Sequence, residues 1–413
     1  MPEFPHPNPL PPRRERVRVV IPFRPMSDPA KLERELSSAA TRKPWKPYLE
    51  ASLGFRNHWY PALFSAELAD GEVKAVRLLG EAVLLKRIDG VVYAVQDRCL
   101  HRGVAFSVRP ECHTKNTISC WYHGFTYDLR DGALVAIITD PESSLVGKLR
   151  LKTYPVQEQK GIVFAFMGDI EPPPLLEDVQ PGLLDADMEL FPDGERSVVH
   201  SNWRLAAENG FDASHIYIHR NSPLIVGLRR PMPLATILQS REGMVVAEEG
   251  KPKGVMKGSG ARTPVWEAEI EGVKVSSRVQ PAQAGAGGRS SPDTSMWLPC
   301  GLKVDPFPAP GIIQFEWYVP VDERSHMYFV TWGKHVASAE DARLFHQEIA
   351  TYWKHMVIDT FNVDDVTARE AMEVFYAQEG GWEKERLYRP DVIITEWRKL
   401  ASTHNRGIQR RPT

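Results

Sequence analysis

Two short segments of the sequence each pair one cysteine with one histidine. Cys99 precedes His101 by two positions, Cys120 precedes His123 by three, and 18 residues separate the two segments. Two ligands on each of two loops can hold a two-iron cluster, with thiolates on one iron and neutral imidazoles on the other. Because imidazoles reduce the negative charge of such a cluster, its reduction potential rises. The spacing therefore predicts a [2Fe–2S] centre that accepts electrons.

A structural zinc ion is the alternative ligand for these four residues. Zinc fingers place Cys with Cys and His with His across short loops. Here each loop supplies one residue of each kind, which favours the iron–sulfur interpretation. Gly103 and Gly124 follow the two motifs, and we expect these glycines to keep the loops tight.

A second candidate metal site lies in the segment NWRLAAENGFDASHIYIHR at 202–220. If the segment is one helix, Asp212, His215 and His219 project from the same face. Two imidazoles one turn apart need one carboxylate from elsewhere to form the triad that leaves positions on Fe(II) open for O₂ and substrate. An isolated His-x-x-x-His pair is more often a pair of ordinary core or surface residues. Its position after the cluster motifs favours a metal site.

These segments resemble one known family. CLHRGV at 99–104 and CWYHGFTYDLRDG at 120–132 resemble the cluster-binding loops of the Rieske non-haem iron aromatic-ring-hydroxylating oxygenases, and residues 202–220 resemble their catalytic helix. The resemblance implies an oxidoreductase that incorporates O₂, with two cofactors, a [2Fe–2S] cluster and a mononuclear Fe(II). The gap between the loops is slightly longer than is usual in the family, which affects no ligand.

The resemblance also implies the third iron ligand and a role for Asp212. Family members place the ligand carboxylate five residues before a glutamate on the same helix, and Asp365 has this spacing to Glu370. Asp364 is the alternative, but adjacent helical residues point about 100° apart, so only one of the two can comfortably serve. By the same resemblance, Asp212 faces the cluster of the neighbouring subunit and acts in electron transfer and positioning.

Longer stretches resemble the terminal oxygenases of the carbazole-type angular dioxygenases. They are LGFRNHWYP at 53–61, ENGFDASHIYIH at 208–219, GLKVDPFP at 301–308, QFEWYVP at 314–320 and WRKLASTHNRGIQ at 397–409. The implied reaction adds O₂ to an angular ring carbon and its neighbour, so that an unstable diol opens to an aminobiphenyl-diol. A Rieske monooxygenase or demethylase that acts on another aromatic substrate is the alternative function.

The resemblance further implies a set of substrate-binding positions, which are Gly210, Ile216, Phe307, Glu316 and Phe361. A glycine lets the backbone approach a flat ligand, and the carbonyl of Gly210 is expected to accept the substrate N–H. Apolar walls would bury a tricyclic substrate. Phe307 and Phe361 could instead be core residues, because large apolar side chains mostly pack. Thr294 departs from the family, which has an aliphatic residue there, and leaves the substrate range open.

The sequence predicts separate redox partners. Residues 285–288 are glycine-rich but lack the strand-to-helix setting of a dinucleotide-binding loop. We therefore expect electrons to come from a ferredoxin that an NAD(P)H-dependent reductase reduces. The family resemblance implies a head-to-tail homotrimer, in which each cluster lies beside the iron of the next subunit. A Rieske electron carrier without enzymatic activity would need neither the histidine pair nor so long a second half.

Composition and charge exclude several classes of protein. The 413 residues are 42% hydrophobic and 25% charged, with a formal net charge of −2. This balance gives no electrostatic case for binding nucleic acid or an anionic membrane. There is no apolar run of signal-peptide or transmembrane length, so a cytoplasmic protein is expected. Four cysteines are too few for a disulfide scaffold, and Cys112 and Cys300 are expected to be ordinary thiols.

The elements that must position these residues follow from the apolar patterning. Short strands separated by Gly and Asp turns predict a small all-β unit at 58–168, and 169–413 is predicted to be a catalytic unit of helices and an antiparallel sheet. The fold class is thus α+β. Residues 1–30 contain nine prolines and predict a tail, and 31–57 predict a helical segment that packs with the catalytic unit. We also expect helices at 203–219, 339–360 and 366–376.

Overall fold

Alternating apolar residues build the first half of the chain from short strands. The computed structural model describes residues 44–212, 214–224, 250–257, 265–278 and 293–411. The predicted tail, residues 31–43 of the segment 31–57 and the glycine-rich residues 285–288 lie outside these ranges. The first elements are helix α1 (Lys46–Glu50) and strands β1 (His58–Phe64), β2 (Val73–Leu78), β3 (Glu81–Ile88), β4 (Val91–Gln96), β5 (Thr117–Ser119), β6 (Phe125–Asp128), β7 (Leu134–Ile137), β8 (Thr153–Tyr154), β9 (Val156–Gln159) and β10 (Ile162–Met167).

These ten strands form three small antiparallel sheets. Their orders are β1-β10-β9, β2-β3-β4-β8 and β5-β6-β7. The third sheet and the loops on either side of it carry both Cys–His pairs. The structure confirms the prediction that short antiparallel strands build this part of the chain.

Strand β3 contributes to two hydrophobic cores. Val83 and Leu85 point into the main core of the molecule, whereas Leu84 and Ile88 belong to a smaller core that also contains Cys99. Successive side chains of a strand point to opposite faces of its sheet, so one strand can fill both. The smaller core supports the two cysteine-bearing loops from below.

The second half is built around one seven-stranded antiparallel sheet. Its strands are β11 (Met188–Leu190), β12 (Glu195–Val199), β13 (Gly254–Lys257), β16 (Asp293–Trp297), β17 (Gly301–Asp305), β18 (Ile313–Pro320) and β19 (His326–His335). β11 and β12 both pair with β19, which is followed by β18, β17, β16 and β13. Strands β14 (Val265–Ile270) and β15 (Val273–Arg278) form a separate hairpin.

Helices cover this sheet and complete the predicted α+β architecture. They are α2 (Trp203–Phe211), α3 (Ala339–Glu348), α4 (Lys354–Ile358), α5 (Asn362–Gln378), α6 (Gly381–Lys384) and α7 (Val392–His404). A short π-helical segment, Ile349–Trp353, joins α3 to α4, so the predicted helix over 339–360 is not one regular helix. α2 packs against both the sheet and α5, and α7 packs against α1.

The predicted helix over 203–219 is wrong in its second half. α2 ends at Phe211, Asp212 has ψ of 131°, and a 3₁₀ helix then runs over His215–Asn221. The carboxylate of Asp212 accepts a hydrogen bond of 2.7 Å from the backbone N–H of Ser214. A side chain that bonds the backbone two residues ahead competes with helix formation, which explains the break. The three predicted residues therefore do not lie on one face of a single helix.

The main hydrophobic core continues across the predicted boundary between the two halves. Met167 and Leu175 lie on either side of the predicted boundary at 168, and both belong to the main core. The predicted limits of the two units therefore stay a prediction. None of the helices in the described ranges combines the length and apolar composition needed to cross a bilayer.

Arg398 on α7 ties two segments together through buried charges. Its guanidinium is fully buried and donates two hydrogen bonds of 2.7 Å to Glu208 of α2, and further bonds to Glu385. We expect Arg398→Met to lower the free energy of unfolding by about 3–5 kcal/mol, because a buried carboxylate loses its cation. Thermal unfolding measures this. Arg343→Met removes an exposed pair with Glu340 and should leave the free energy of unfolding almost unchanged; equal losses in both variants would contradict the expectation.

His326 on β19 gives a second prediction, for acid stability. Burial lowers its pKa to about 3, although a bond to the carbonyl of Ser201 opposes the shift. A histidine whose pKa falls on folding stabilises the protein above its unfolded pKa, near 6.5, and this stability is lost as the pH falls toward 3. Between pH 7 and pH 5 the loss should be about 2 kcal/mol. His326→Asn should flatten the pH dependence of the melting temperature, and an unchanged slope would contradict this assignment.

Candidate metal centres

The two cysteine-bearing loops have the same backbone structure. In each loop the cysteine N–H donates to the carbonyl five residues ahead, at 2.8 Å, and the glycine four residues ahead donates back to the cysteine carbonyl, at 2.9 Å for Cys99 and 2.8 Å for Cys120. Gly103 and Gly124 have φ of +74° and +70°, which non-glycine residues rarely adopt. The two loops differ in sequence but share one backbone structure, and this brings their Cys and His side chains together at one site.

The side chains at this place have the arrangement that a cluster with mixed ligands needs. Cys99 and Cys120 are each 2% exposed, and neither forms a disulfide. The imidazole centroids of His101 and His123 are 4.7 Å apart. The Nδ1 atom of His123 is buried and has no hydrogen-bond partner among the described residues. An unpaired buried nitrogen is costly, and a bound metal would satisfy it.

Electrostatics at the cysteines agree with this arrangement. Burial raises the pKa of Cys99, and the proximity of Cys120 raises it further, whereas a hydrogen bond from Tyr127 lowers it. Two neighbouring thiolates in a buried site need a cation to be stable. The residues therefore fit a [2Fe–2S] cluster. Exposed apolar residues surround the site on its outer side and are Leu100, Trp121, Tyr122 and Ile138.

The second site brings together His215, His219 and Asp365. Nε2 of His215 lies 3.7 Å from one carboxylate oxygen of Asp365, and Nε2 of His219 lies 3.3 Å from the other. The two imidazoles come from the 3₁₀ helix and the carboxylate from the first turn of α5. One atom of each residue lies within 4.8 Å of the others, which is a suitable spacing around one metal ion.

The tautomer of His215 is set by the break in the helix. Its Nδ1 atom lies 2.7 Å from the backbone carbonyl oxygen of Asp212. Because a carbonyl oxygen can only accept, Nδ1 carries the proton and Nε2 keeps a lone pair that faces Asp365. The break at Asp212, which the sequence did not predict, thus prepares the imidazole to bind a metal.

His219 lies between two carboxylates and an aromatic ring. Its Nε2 faces Asp365, and its Nδ1 is 3.5 Å from a carboxylate oxygen of Asp364. Phe361 stacks on the imidazole with a centroid distance of 3.7 Å. Asp364 was considered only as an alternative ligand, yet it approaches the nitrogen on the far side from Asp365. A carboxylate in that place fixes the orientation and tautomer of a metal-binding histidine.

The unpaired atoms of this site fit a bound cation. Nε2 of the fully buried His219, which faces Asp365, and one oxygen of Asp365 have no hydrogen-bond partner among the described residues. Burial raises the pKa of Asp365, but His219, His215 and Arg369 more than offset this, so the pKa lies below its ordinary value. Burial lowers the pKa of His215. An ionised carboxylate that faces neutral imidazoles is the donor set of the predicted triad.

Asp212 lies beside the site, but its side chain does not converge with those of His215, His219 and Asp365. Its side chain is half-buried and bonds the backbone of Ser214, and it lines a cleft of about 570 Å³ together with His215 and Asn209. The structure therefore separates Asp212 from the three residues that converge. Its predicted role in electron transfer stays a prediction.

The predicted substrate-binding residues lie in and around the second site. Phe307 and Phe361 are 5.3 Å apart and both buried, and Ile216 is partly buried next to the main core. A Cβ at Gly210 would collide with the hydroxyl of Tyr318, so the glycine has a packing reason independent of any ligand. Glu316 is buried, and its carboxylate accepts hydrogen bonds from other side chains. Contact of these five residues with a substrate stays a prediction.

Sequence reasoning missed Arg369, which is one turn after Asp365 on α5 and 1% exposed. Its Nε donates a 2.6 Å hydrogen bond to Asn209 of α2 and so links the two helices around the site. A charged residue at the i+4 position of a ligand carboxylate shares its helix face, and this spacing is visible in the sequence. Burial of the guanidinium, however, depends on the sheet behind it.

Comparison with known proteins assigns both halves. Residues 58–155 match the model of the Rieske [2Fe-2S] domain, and residues 166–409 match that of the homotrimeric ring hydroxylases. The chain is 51% identical over 372 residues to the terminal oxygenase component of carbazole 1,9a-dioxygenase from Sphingomonas sp., covering 89% of this chain and 96% of that protein.

Solved structures agree. The terminal oxygenase of carbazole 1,9a-dioxygenase from Novosphingobium sp. KA1 aligns with a TM-score of 0.84 and 48% identity over 91% of this chain and all of that one. The oxygenase in a reduced oxygenase–ferredoxin complex of carbazole 1,9a-dioxygenase aligns with a TM-score of 0.82 and 48% identity, over 92% and 96% of the two chains. The chain therefore belongs to the homotrimeric ring hydroxylase family and carries its Rieske [2Fe–2S] domain.

Proposed function

We propose that this protein is the terminal oxygenase of a multicomponent dioxygenase that dihydroxylates carbazole-like heteroaromatic compounds at an angular position. The observation that carries the proposal is the convergence of His215, His219 and Asp365 in a chain about half identical to carbazole 1,9a-dioxygenase oxygenases. The reaction combines the substrate, O₂, two electrons and two protons in a dihydroxylated product, so the atoms and charges balance.

Each cofactor has its set of residues in this proposal. Cys99, Cys120, His101 and His123 hold the [2Fe–2S] cluster, and His215, His219 and Asp365 hold the mononuclear Fe(II). When bound, the cluster supplies electrons one at a time and the ferrous ion activates O₂. The unpaired nitrogen of His123 and the unpaired atoms of His219 and Asp365 support these assignments.

The other residues hold the ligands and the substrate. The backbone carbonyl of Asp212 keeps the proton of His215 on Nδ1, and Asp364 orients His219 from its far side. The ring of Phe361 covers His219 and, with Phe307, excludes water from that face of the site. The carbonyl of Gly210 accepts the substrate N–H, while Ile216 and Glu316 contribute to the wall of the pocket.

Electrons reach the mononuclear site across a subunit boundary. The cluster held by Cys99, His101, Cys120 and His123 would accept electrons from a ferredoxin that an NAD(P)H-dependent reductase reduces, and His123 and Asp212 would lie on the route between the centres of neighbouring subunits in a homotrimer. The exposed apolar residues around the cluster support such a contact, because large apolar patches mark interfaces. Reduced ferredoxin and NAD(P)H are available in the cytoplasm, which is the compartment we propose. In this proposal the unit at 58–168 accepts electrons, and the unit at 169–413 carries out the oxygenation.

A single turnover with isotopically labelled oxygen tests the proposal. Chemically reduced protein is mixed with carbazole under ¹⁸O₂, and the product is examined by mass spectrometry. We expect an aminobiphenyl-diol with two labelled atoms. Asp365→Ala, the control, should keep the absorption of the cluster and form no product. One labelled atom would indicate the monooxygenase alternative, and reoxidation of the cluster without product would contradict carbazole as a substrate.

The two neighbouring aspartates should differ in their effect on metal binding. Asp365→Asn removes the proposed ligand and should abolish binding of Fe(II) at the mononuclear site. Asp364→Asn removes only the carboxylate behind His219 and should weaken binding by about 10- to 100-fold. Anaerobic titration with Fe(II) measures both, with cluster absorption to show that the first half is intact. Asp359→Asn, which alters an exposed pair with His355, is the control. Equal effects of all three would contradict the assignment.

A further inference from the structure

A buried cation lies one helical turn from the proposed ligand Asp365. The guanidinium of Arg369 is 1% exposed, and its carbon lies 5.0 Å from the ring centroid of Tyr318 and 4.9 Å from that of Tyr328. Nε bonds Asn209, and Nη1 is buried without a hydrogen-bond partner among the described residues. These partners are neutral, so the charge of Arg369 is not cancelled by a direct ion pair.

A buried carboxylate lies on the other side of Tyr318. Glu316 is 4% exposed, and its two oxygens accept hydrogen bonds from the hydroxyl of Tyr318, at 2.7 Å, and from the amide of Gln314, at 2.5 Å. The indole of Trp332 donates to the amide oxygen of Gln314 and so fixes the nitrogen toward Glu316. Two donors aimed at both oxygens are the arrangement that stabilises an ionised carboxylate.

The guanidinium of Arg369 and the carboxylate of Glu316 both act electrostatically on the proposed ligand Asp365. Arg369 and Asp365 share a face of α5, and Glu316 is close enough to interact electrostatically with both. Burial raises the pKa of Glu316 above its ordinary value, although Arg369 and the hydrogen bond from Tyr318 act to lower it. Charges in an enclosed region of low dielectric act over longer distances than charges in water. A divalent ion at the site would therefore be repelled by Arg369 and attracted by Glu316.

We propose that Arg369 and Glu316 are positioning residues with opposite electrostatic effects on the mononuclear site: the guanidinium lowers, and the Glu316 carboxylate raises, its affinity for a divalent cation. The inference rests on the proposed function, because it takes His215, His219 and Asp365 as the ligands. Since Coulomb repulsion grows with the charge of the ion, Arg369 disfavours a trivalent ion more than a divalent one. Arg369 therefore favours the ferrous over the ferric ion, and Glu316 opposes this preference.

The affinity for Co²⁺ tests this inference without enzyme turnover. Protein that retains the cluster but lacks the mononuclear metal is titrated with Co²⁺ by calorimetry. Glu316→Gln removes a charge and can still pair with Tyr318, so the dissociation constant should rise on the order of tenfold. Arg369→Met should lower the constant on the order of tenfold. Arg369→Lys, the control, keeps the charge and should show no gain in affinity.

A merely structural role predicts a different pattern, namely weaker binding in every variant. An unchanged or weaker affinity in Arg369→Met, or an equal gain in Arg369→Lys, would overturn the inference. Absence of Co²⁺ binding by the unaltered protein would overturn the proposed function as well. If Arg369→Met does not fold, the double variant Glu316→Gln with Arg369→Met is measured, because both buried charges are then absent. If the double variant binds Co²⁺ within about threefold of the unaltered protein, the two charges offset each other as proposed. If it binds Co²⁺ more weakly than Glu316→Gln alone, the inference is overturned.

Discussion

The mononuclear site depends on the contact between α2 and α5, which lie far apart in the sequence. Arg369 and Asn209 are separated by 160 positions, and their hydrogen bond joins the last turn of α2 to the middle of α5. Arg398 holds the same end of α2 from the opposite side through Glu208. The packing of α2 against α5 and the sheet, together with these bonds, brings the three side chains together. These buried charged side chains therefore hold α2 in position, although burying each charge costs free energy.

The two metal centres have opposite environments, and each suits its task. The cluster loops are near the surface, where exposed aromatic and aliphatic side chains surround them, because electrons must enter from another protein. The histidines and carboxylate of the second site are enclosed by Phe361 and the sheet. An enclosed site keeps water from a reactive metal and strengthens the effect of nearby charges. Both centres nevertheless use the same principle, in which the backbone fixes a ligand before the metal binds.

The sequence predicted the residue types well where chemistry restricts the choice. Spacing brought Cys99, His101, Cys120 and His123 forward as candidates, because few combinations of soft and imidazole ligands fit two short loops; the structure places the two histidines side by side, and their role as ligands stays a prediction. The strands near them followed from alternation and turn residues. The helix at 203–219 was mispredicted because apolar periodicity does not reveal a side chain that bonds its own backbone, as Asp212 does.

Other features could not be predicted because they arise from tertiary contacts. Asp364 and Asp365 are adjacent and chemically identical, and only the fold places them against different nitrogens of His219. The burial of Arg369 and Glu316 depends on strands β18 and β19 and on Tyr318 and Tyr328, which no local pattern places beside α5. Local sequence gives the candidates, whereas packing decides which of them meet.

The double use of β3 has a consequence for how this protein can vary. Val83 and Leu85 pack into the main core, and the turn before β3 donates backbone hydrogen bonds from Leu79 and Gly80 to the end of β18 and to the residue that follows it. The electron-accepting half is therefore not a detachable module. Excising it would expose an apolar sheet face and an unpaired backbone edge, both of which promote aggregation. A cluster domain taken from another protein would therefore have to keep the β3 side chains that face the main core, in addition to the four ligands.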